Sequence, residues 1–193
     1  MNPIEVMEVL ERHGAVLNGH FRLASGRHSD VYVQKFRVLE HPRLAQRFGE
    51  SIAQAFMGRF EAVACPAVGA IVLGFAVALA GDVRLVIAER AEGRMTFRRG
   101  FRLDPHEKVL VVEDVVTTGG SAAEVIDLTR KAGAEPVGLG ALIDRPDPAR
   151  PPSLGVPLRA LVTVAASSWD PDECPLCGAD QPLEEPGSHH LPA

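Results

Sequence analysis

Short apolar segments alternate with longer, helix-like segments along the central part of this chain. Five runs have the length of buried strands, and they are residues 62–65, 83–88, 108–112, 137–143 and 160–164. Residues 70–80 and 121–131 separate some of these runs and are typical of helices, the second of which ends at Gly133. Such alternation is typical of parallel strands joined by crossover helices. The pattern predicts an α/β fold, with a parallel sheet flanked by helices.

The first third of the chain has a different pattern of apolar and polar residues. Asn2 and Glu5 are placed to form a capping box, so a short helix begins there and ends near Gly14. Residues 19–34 mix glycine, serine, histidine and arginine before alternating polar and apolar positions, which predicts a loop followed by a strand. Residues 42–58 carry apolar side chains at intervals of three or four, as an amphipathic helix does.

Composition limits the classes of function. With 193 residues and 46% apolar content, the chain is long enough for one main domain. A formal net charge of −5 argues against a nucleic-acid partner, whose backbone attracts basic surfaces. The apolar run at 70–80 is too short to span a membrane, and the N-terminus does not resemble a secretion signal, so we expect a cytoplasmic protein.

The C-terminal tail, after Val164, is rich in polar residues and proline, and we expect it to lie on the surface or to be disordered. It contains Cys174 and Cys177 in a CxxC spacing, which is half of a zinc site, and His189 and His190 are candidates to complete it. A single CxxC is weak support. We therefore expect exposed thiols in a flexible tail and no structural metal.

The stretch VLVVEDVVTTGGS, residues 109–121, carries the clearest chemistry. An apolar strand leads to Glu113 and Asp114, and the carboxyl ends of strands form the edge where open α/β sheets bind ligands. Both acids are placed to accept hydrogen bonds from vicinal hydroxyl groups. The alternative is a buried strand that ends in an ordinary capping loop. Adjacent buried carboxylates are costly without partners, which favours a functional site.

Small residues follow the acids and open the next helix. They are Thr117, Thr118, Gly119, Gly120 and Ser121, and a phosphate group can approach their backbone N–H groups and the positive end of the helix. The stretch lacks the lysine of a GxxxxGKS/T loop, so a nucleoside triphosphate is not the natural ligand. Acids for hydroxyls beside a phosphate cradle predict a site for a ribose 5-phosphate group.

Residues 109–121 resemble the phosphoribosyl pyrophosphate signature of the type I phosphoribosyltransferases. Within that group, GHFRLASGRHSDVYVQ, residues 19–34, resembles the base-site segment of the orotate phosphoribosyltransferases, and the resemblance extends over roughly residues 3–168. It implies a phosphoribosyltransferase domain at 1–170, with a small N-terminal hood at 1–35, a core at 36–170 and a tail at 171–193. The implied reaction converts orotate and phosphoribosyl pyrophosphate to orotidine 5′-phosphate and pyrophosphate in pyrimidine biosynthesis, with Mg²⁺ as cofactor.

The same resemblance implies roles for individual residues. Ser25, Gly26 and His28 fall in the base-site segment, and Arg145 falls where the family binds the orotate carboxylate. Alternatives stay open, because a lone histidine is more often a structural hydrogen-bonding group and Arg145 also suits a strand-end salt bridge.

Two further loops match the family pattern. Val68 and Gly69 match the pyrophosphate-binding loop, although an ordinary strand-to-helix connection has the same pattern. Arg90 and Arg94 lie in residues 89–100, the place of the mobile catalytic loop, which the resemblance implies is shared between subunits of a homodimer. With Glu113 and Asp114, Arg90 is the predicted catalytic set. A solvated hairpin with scattered charges is the alternative for residues 89–100.

The chain departs from the family pattern at two places. Ala24 stands where many members carry lysine, and residues 89–100 contain neither lysine nor histidine, so the proton donor is not identified. Other hypotheses keep the fold but change the base to adenine, xanthine or uracil, or make the protein a sensor of phosphoribosyl pyrophosphate that binds nucleic acid. The base-site segment and Arg145 favour orotate, and the negative net charge disfavours the sensor.

Overall fold

A computed structural model describes residues 1–23, 25–146 and 153–186 of the chain. The helices are α1 (Pro3–Arg12), α2 (Phe36–Leu39), α3 (Pro42–Ala55), α4 (Ile71–Gly81), α5 (Gly120–Lys131) and α6 (Pro175–Gly178), and a single 3-10 turn covers Pro171–Glu173. The strands are β1 (Val16–Arg22), β2 (His28–Val33), β3 (Ala62–Pro66), β4 (Arg84–Ala91), β5 (Arg94–Phe97), β6 (Lys108–Val116), β7 (Glu135–Asp144), β8 (Leu158–Thr163) and β9 (Ser168–Trp169).

Six strands form the central sheet, in the order β5-β4-β3-β6-β7-β8. Neighbouring strands are parallel except β5, which runs antiparallel to β4. This confirms the predicted α/β fold, and all five apolar runs that the sequence marks as strands lie in this sheet. They are short and nearly continuous in apolar residues because helices cover both faces of a parallel sheet.

The two faces of the sheet pack against different helices. On one face, Val63, Leu110 and Val112 join buried residues of α1, α3 and α4 in one apolar cluster. On the other face, Ala64 and Val111 join buried residues of α5 in a second cluster. Neighbouring residues of a strand alternate between the two cores, as the period of two requires. Within the three described ranges, no helix has both the length and the apolar composition needed to cross a membrane.

The chain reverses direction across the sheet between β3 and β6. From β3 the chain passes through α4 to β4 on one side, and from β6 it passes through α5 to β7 on the other side. Ligands of open α/β sheets bind in the crevice where the strand order reverses, beyond the carboxyl ends of the strands. The loops that follow β3 and β6 therefore meet at the expected position of a site.

A second, three-stranded sheet lies outside this core and has the order β1-β2-β9. The prediction of a loop at the start of residues 19–34 is wrong for 19–22, which belong to β1 and pair with β2. The N-terminal helix is confirmed, with the capping box of Asn2 and Glu5 present. The helix predicted at 42–58 is confirmed as α3 and ends slightly earlier, at Ala55.

Part of the tail contributes structure, contrary to the expectation of a loose segment. Glu184 pairs with β1 through Phe21, and its N–H donates to the carbonyl of His20 at 2.8 Å. Cys174 is 5% exposed, so the prediction of exposed thiols is wrong for this residue, whereas Cys177 is exposed as predicted. His189, His190 and Ala24 lie outside the described residues.

Candidate active site

The predicted acid pair lies on β6 near its carboxyl end. Glu113 and Asp114 are 8% and 4% exposed in a strand whose other residues are mostly apolar. The N–H of Asp114 donates to Glu113 Oε1 at 3.1 Å, and the N–H of Val115 donates to Asp114 Oδ1 at 2.6 Å. Backbone donors alone do not neutralise two adjacent carboxylates, so a nearby positive charge is needed.

Lys35 supplies that charge, and no feature of the sequence predicted it. Its Nζ lies 2.7 Å from Asp114 Oδ2, in an ion pair whose geometry is not that of a hydrogen bond. The Lys35 side chain is 29% exposed, whereas that of Asp114 is 5% exposed. Lys35 immediately precedes α2, far from β6 in sequence, so only the folded chain brings the two together.

The loop after β3 reaches this ion pair at Gly69. A Cβ atom on Gly69 would lie 2.1 Å from Asp114 Oδ2 and 2.8 Å from Lys35 Nζ. Any side chain at this position would therefore displace the pair. Because Gly69 has no side chain, the predicted pyrophosphate-binding loop can approach Asp114, one of the two acids predicted to bind the ribose.

Glu113 differs from its neighbour in its protonation. Burial, and then the negative charge of Asp114, raise the pKa of Glu113 to about 8. Lys35 acts in the opposite direction but with a smaller effect. In the ligand-free site Glu113 therefore keeps its proton to a higher pH than an exposed carboxyl group does, and a protonated carboxyl group both donates and accepts hydrogen bonds.

The predicted phosphate cradle lies between β6 and α5. Gly119 adopts a φ of +74°, in the left-handed region that favours glycine, and no side chain caps the first turn of the 12-residue helix α5. The cradle lines a cavity of about 290 Å³. Glu113, Arg90 and Glu124 also line this cavity. Residues 117–121, which the sequence assigned to a phosphate cradle, thus form the main wall of this cavity.

A second cavity, of about 150 Å³, adjoins the first and shares Thr117 and Thr118 with it. Ser25 and Arg145, two of the predicted substrate-binding residues, line it together with Arg27, which the sequence did not single out. The remaining lining residues are Leu23, Pro146, Ala166, Ser167 and Ser168. Two guanidinium groups in one small pocket are suited to a planar anionic ligand.

Hydrogen bonds hold both arginines of this pocket in place. Arg145 Nη1 donates to the carbonyl of Val31 at 3.1 Å. Arg27 donates from Nη2 to the carbonyl of Ser168 at 2.8 Å and pairs with Asp170 at 2.7 Å. The pocket therefore lies between the small sheet and the loops at the carboxyl ends of β6 and β7 in the large sheet.

A third cavity, of about 640 Å³, shares Arg90 with the cavity of the cradle. Val68 and Arg99 also line it. Residues 89–100 are a hairpin of β4 and β5, which is the alternative that the sequence left open. Arg90 Nη2 lies 2.7 Å from Glu124 Oε1 on α5, which holds the guanidinium beside the cradle.

Five predicted residues do not line these three cavities. Two of them, Asp114 and Gly69, lie at the ion pair with Lys35 instead. Gly26, with a φ of +82°, forms the turn between β1 and β2, and Arg94 is exposed on β5. His28 is 5% exposed, and its Nδ1 lies 3.0 Å from His20 Nε2 and 3.3 Å from Cys177 Sγ. The structure thus places His28 among other side chains rather than at the wall of the base pocket.

Comparison with known proteins identifies the family. The phosphoribosyl transferase domain family matches residues 37–156. The orotate phosphoribosyltransferase of Desulforamulus reducens is 45% identical over 192 residues, covering 99% of this chain and 100% of that protein. The chain belongs to the orotate phosphoribosyltransferase family. The Thermotoga maritima member is 44% identical over 187 residues, covering 96% of this chain and 99% of that protein.

Solved structures agree with this membership. The crystal structure of orotate phosphoribosyltransferase from Aeropyrum pernix has a TM-score of 0.69 to this chain, with 29% sequence identity. The match covers 82% of this chain and 93% of that one. The orotate phosphoribosyltransferase fold therefore accounts for the large sheet and its flanking helices, and the resemblance found in residues 19–34 and 109–121 is confirmed.

Proposed function

We propose that this chain transfers the phosphoribosyl group of phosphoribosyl pyrophosphate to orotate, forming orotidine 5′-phosphate and pyrophosphate in pyrimidine biosynthesis. The observation that carries the proposal is the contact between two cavities at Thr117 and Thr118. One cavity is a phosphate cradle with an acid wall, and the other is a small pocket with two arginines. A ribose 5-phosphate in the first would present C1 to a base in the second.

The arginine pocket suits orotate better than an uncharged base. Orotate carries a carboxylate, and a guanidinium group binds a carboxylate with two parallel hydrogen bonds. We assign this contact to Arg145, with Arg27 beside it. Ser25 lies in the same wall and offers a hydroxyl group to the ring. Adenine and uracil lack the carboxylate, so they cannot form the two parallel hydrogen bonds with a guanidinium group.

The cradle and acids are assigned to the donor substrate. The N–H groups and hydroxyls of residues 117–121 would hold the 5-phosphate at the positive end of α5. The carboxyl groups of Glu113 and Asp114 would bind the ribose hydroxyls. Positive charge develops on the ribose ring as the pyrophosphate departs, and Asp114 would favour that charge electrostatically. Arg90, with Val68 and Gly69, would bind the departing pyrophosphate.

Mg²⁺ belongs to the same proposal. The cavity offers hard oxygen ligands of the kind that Mg²⁺ prefers, namely the hydroxyls of Thr117 and Ser121 and the carboxylate of Glu113, which would lose its proton on binding the ion. Bound mainly through the substrate, the ion would lower the charge of the leaving pyrophosphate. The protein's own residues would still orient the ribose and select the base.

We also propose that the protein is a homodimer. Val68, Val72, Phe75 and Leu79 are spaced by three or four residues along α4 and its preceding loop, and they are 41–75% exposed. Four large apolar side chains in one stripe form the kind of patch that a partner subunit covers. The stripe begins at Val68, in the proposed pyrophosphate loop. The cytoplasmic location stays a prediction.

The proposed reaction is tested by mixing purified protein with phosphoribosyl pyrophosphate, Mg²⁺ and one base at a time. We expect loss of the absorbance of orotate, and no reaction with adenine, xanthine or uracil. A comparable rate with another base would overturn the assignment of the arginine pocket. Binding of phosphoribosyl pyrophosphate without turnover of any of the four bases would instead support a sensor.

A further inference from the structure

Four metal-ligating side chains from opposite ends of the chain meet beside the small sheet. They are His20 of β1, His28 of β2, and Cys174 and Cys177 of the CxxC segment. One ligand atom from each lies within 4.8 Å of every other. This cluster is separate from the three cavities of the candidate active site. It differs from the completion that the sequence suggested, which used His189 and His190.

The cluster is held within folded structure rather than on a loose tail. His20, His28 and Cys174 are 1%, 5% and 5% exposed. The backbone N–H of Glu184 donates to the carbonyl of His20, and Ser168 pairs with Ser29 next to His28. Three buried side chains with polar atoms need partners, and here the partners are mainly one another.

Four of the six distances among the ligand atoms fit tetrahedral coordination, and the other two are within 4.8 Å. His20 Nε2 lies 3.0 Å from His28 Nδ1, 3.4 Å from Cys174 Sγ and 3.7 Å from Cys177 Sγ. Cys177 Sγ lies 3.3 Å from His28 Nδ1. Zinc bonds of about 2.3 Å to sulfur and 2.0–2.1 Å to nitrogen place the ligand atoms of a tetrahedral site about 3.3–3.8 Å from one another. Each of the four distances is within about 0.4 Å of the ideal separation for its pair of atoms.

A hydrogen bond outside the cluster sets the orientation of His20. Its Nδ1 lies 2.9 Å from the carbonyl oxygen of Gln181, so the proton of the ring is on Nδ1. Nε2 then carries a lone pair, and this atom faces both cysteines and His28. A backbone carbonyl that fixes the outer nitrogen of a histidine is the usual support of a metal-binding imidazole.

We propose that His20, His28, Cys174 and Cys177 bind one structural Zn²⁺. Two thiolates and two imidazoles in a tetrahedral arrangement are ligands that zinc prefers, and four protein ligands leave no open position for catalysis. Cys174 and Cys177 are free rather than joined in a disulfide, so both sulfur atoms are available.

The ion would join the C-terminal segment to the β1–β2 hairpin. Arg27, which lines the base pocket, immediately precedes His28, and its guanidinium contacts Ser168 and Asp170 just before the CxxC segment. Zinc would therefore fix both sides of this arginine. Because the ligands come from both ends of the chain, loss of the ion would release the tail and lower the stability of the whole domain.

The test measures metal content and does not depend on enzymatic activity. Protein purified with zinc and a reductant is analysed by elemental mass spectrometry, and we expect one zinc per chain. Cys174→Ala should lose nearly all of it. Cys65→Ala is the matched control, because Cys65 is also buried but lies on β3, outside the cluster, and this variant should keep its zinc.

A second measurement covers the case in which Cys174→Ala does not fold. Wild-type protein stripped with a chelator under reducing conditions is titrated with Zn²⁺ alone and then, separately, with Co²⁺. We expect the Tm to rise by more than about 5 °C with zinc. Cobalt should give the intense visible bands of tetrahedral thiolate coordination. The proposal would be overturned if the wild type and Cys65→Ala both contained almost no zinc, or if zinc left the Tm unchanged. A Cys174–Cys177 disulfide in the reduced preparation would also overturn it.

Discussion

Lys35 Nζ lies 2.7 Å from Asp114 Oδ2, and these two atoms join the segment between the small sheet and α2 to the centre of the proposed site. The lysine is partly exposed, whereas the carboxylate is almost completely buried. A cation that reaches in from the surface therefore faces this buried carboxylate. Gly69 lies against the same pair, so one ion pair positions parts of three elements.

Removal of Lys35 tests this pair. Lys35→Met leaves Asp114 buried without its cation, and we expect the free energy of unfolding to fall by about 1–3 kcal/mol. In urea titrations, the double variant Lys35→Met with Asp114→Asn should be more stable than Lys35→Met alone, because the uncompensated charge is gone. If Asp114→Asn changes the free energy of unfolding by the same amount in the wild type and in Lys35→Met, the two residues are not coupled.

Asp114→Asn separates catalysis from stability. The amide has nearly the same shape but no negative charge to favour the cationic ribose ring, so we expect kcat/KM to fall at least about 100-fold. Lys35 can be hydrated once unpaired, and the free energy of unfolding should change by less than about 1 kcal/mol. Steady-state kinetics and urea unfolding on the same preparation compare the two effects. Losses of equal free energy in both would assign Asp114 a structural role.

Arg145→Lys tests recognition of the orotate carboxylate. Lysine keeps the positive charge but cannot form two parallel hydrogen bonds, so we expect the KM for orotate to rise about 10- to 100-fold. The KM for phosphoribosyl pyrophosphate should change little. Arg159→Lys is the control, since Arg159 is exposed on β8 and does not line the three cavities. A rise in both KM values for the Arg145 variant would show a general disturbance of the site.

The pKa of Glu113 predicts a pH dependence of stability. Because the folded-state pKa is raised from 4.5 to about 8, the folded protein retains a proton that the unfolded chain releases. The contribution of Glu113 to the free energy of unfolding of the ligand-free protein should therefore be greatest below pH 4.5, and it should be lost as the pH rises towards 8. The slope from one proton is at most about 1.4 kcal/mol per pH unit.

The measurement is urea unfolding of the wild type and Glu113→Gln between pH 5 and pH 9. The glutamine variant cannot ionise, so its advantage over the wild type should grow with pH across this window. A constant difference between the two proteins at all pH values would mean that the pKa of Glu113 is not raised.

Phe75→Asp tests the proposed dimer. Phe75 is 60% exposed at the middle of the apolar stripe on α4, and a charge there should prevent a second subunit from covering it. We expect the wild type to sediment as a dimer and this variant as a monomer in analytical ultracentrifugation. Ile4→Asp places the same charge on another exposed apolar residue, on α1, and should leave the dimer intact. A wild type that sediments as a monomer would contradict the proposal.

The sequence by itself determined the α/β fold, the order of its main strands and helices, and the acid-cradle segment. The hydrophobic pattern of contiguous residues reports the period and burial of one segment. The strands of the large sheet and helices α3, α4 and α5 could therefore be predicted from their own residues. Glu113, Asp114 and residues 117–121 lie in one stretch, so the sequence could predict that they stand together at the end of one strand.

Only the tertiary structure decided which distant residues meet. The Lys35–Asp114 pair, the entry of Arg27 into the base pocket and the hairpin at residues 89–100 depend on strand pairing and on packing between segments. The cluster of His20 with Cys174 joins residues 154 positions apart. A local pattern reports the period and burial of its own segment, whereas the meeting of two segments depends on how the whole chain folds, which no short stretch of sequence contains.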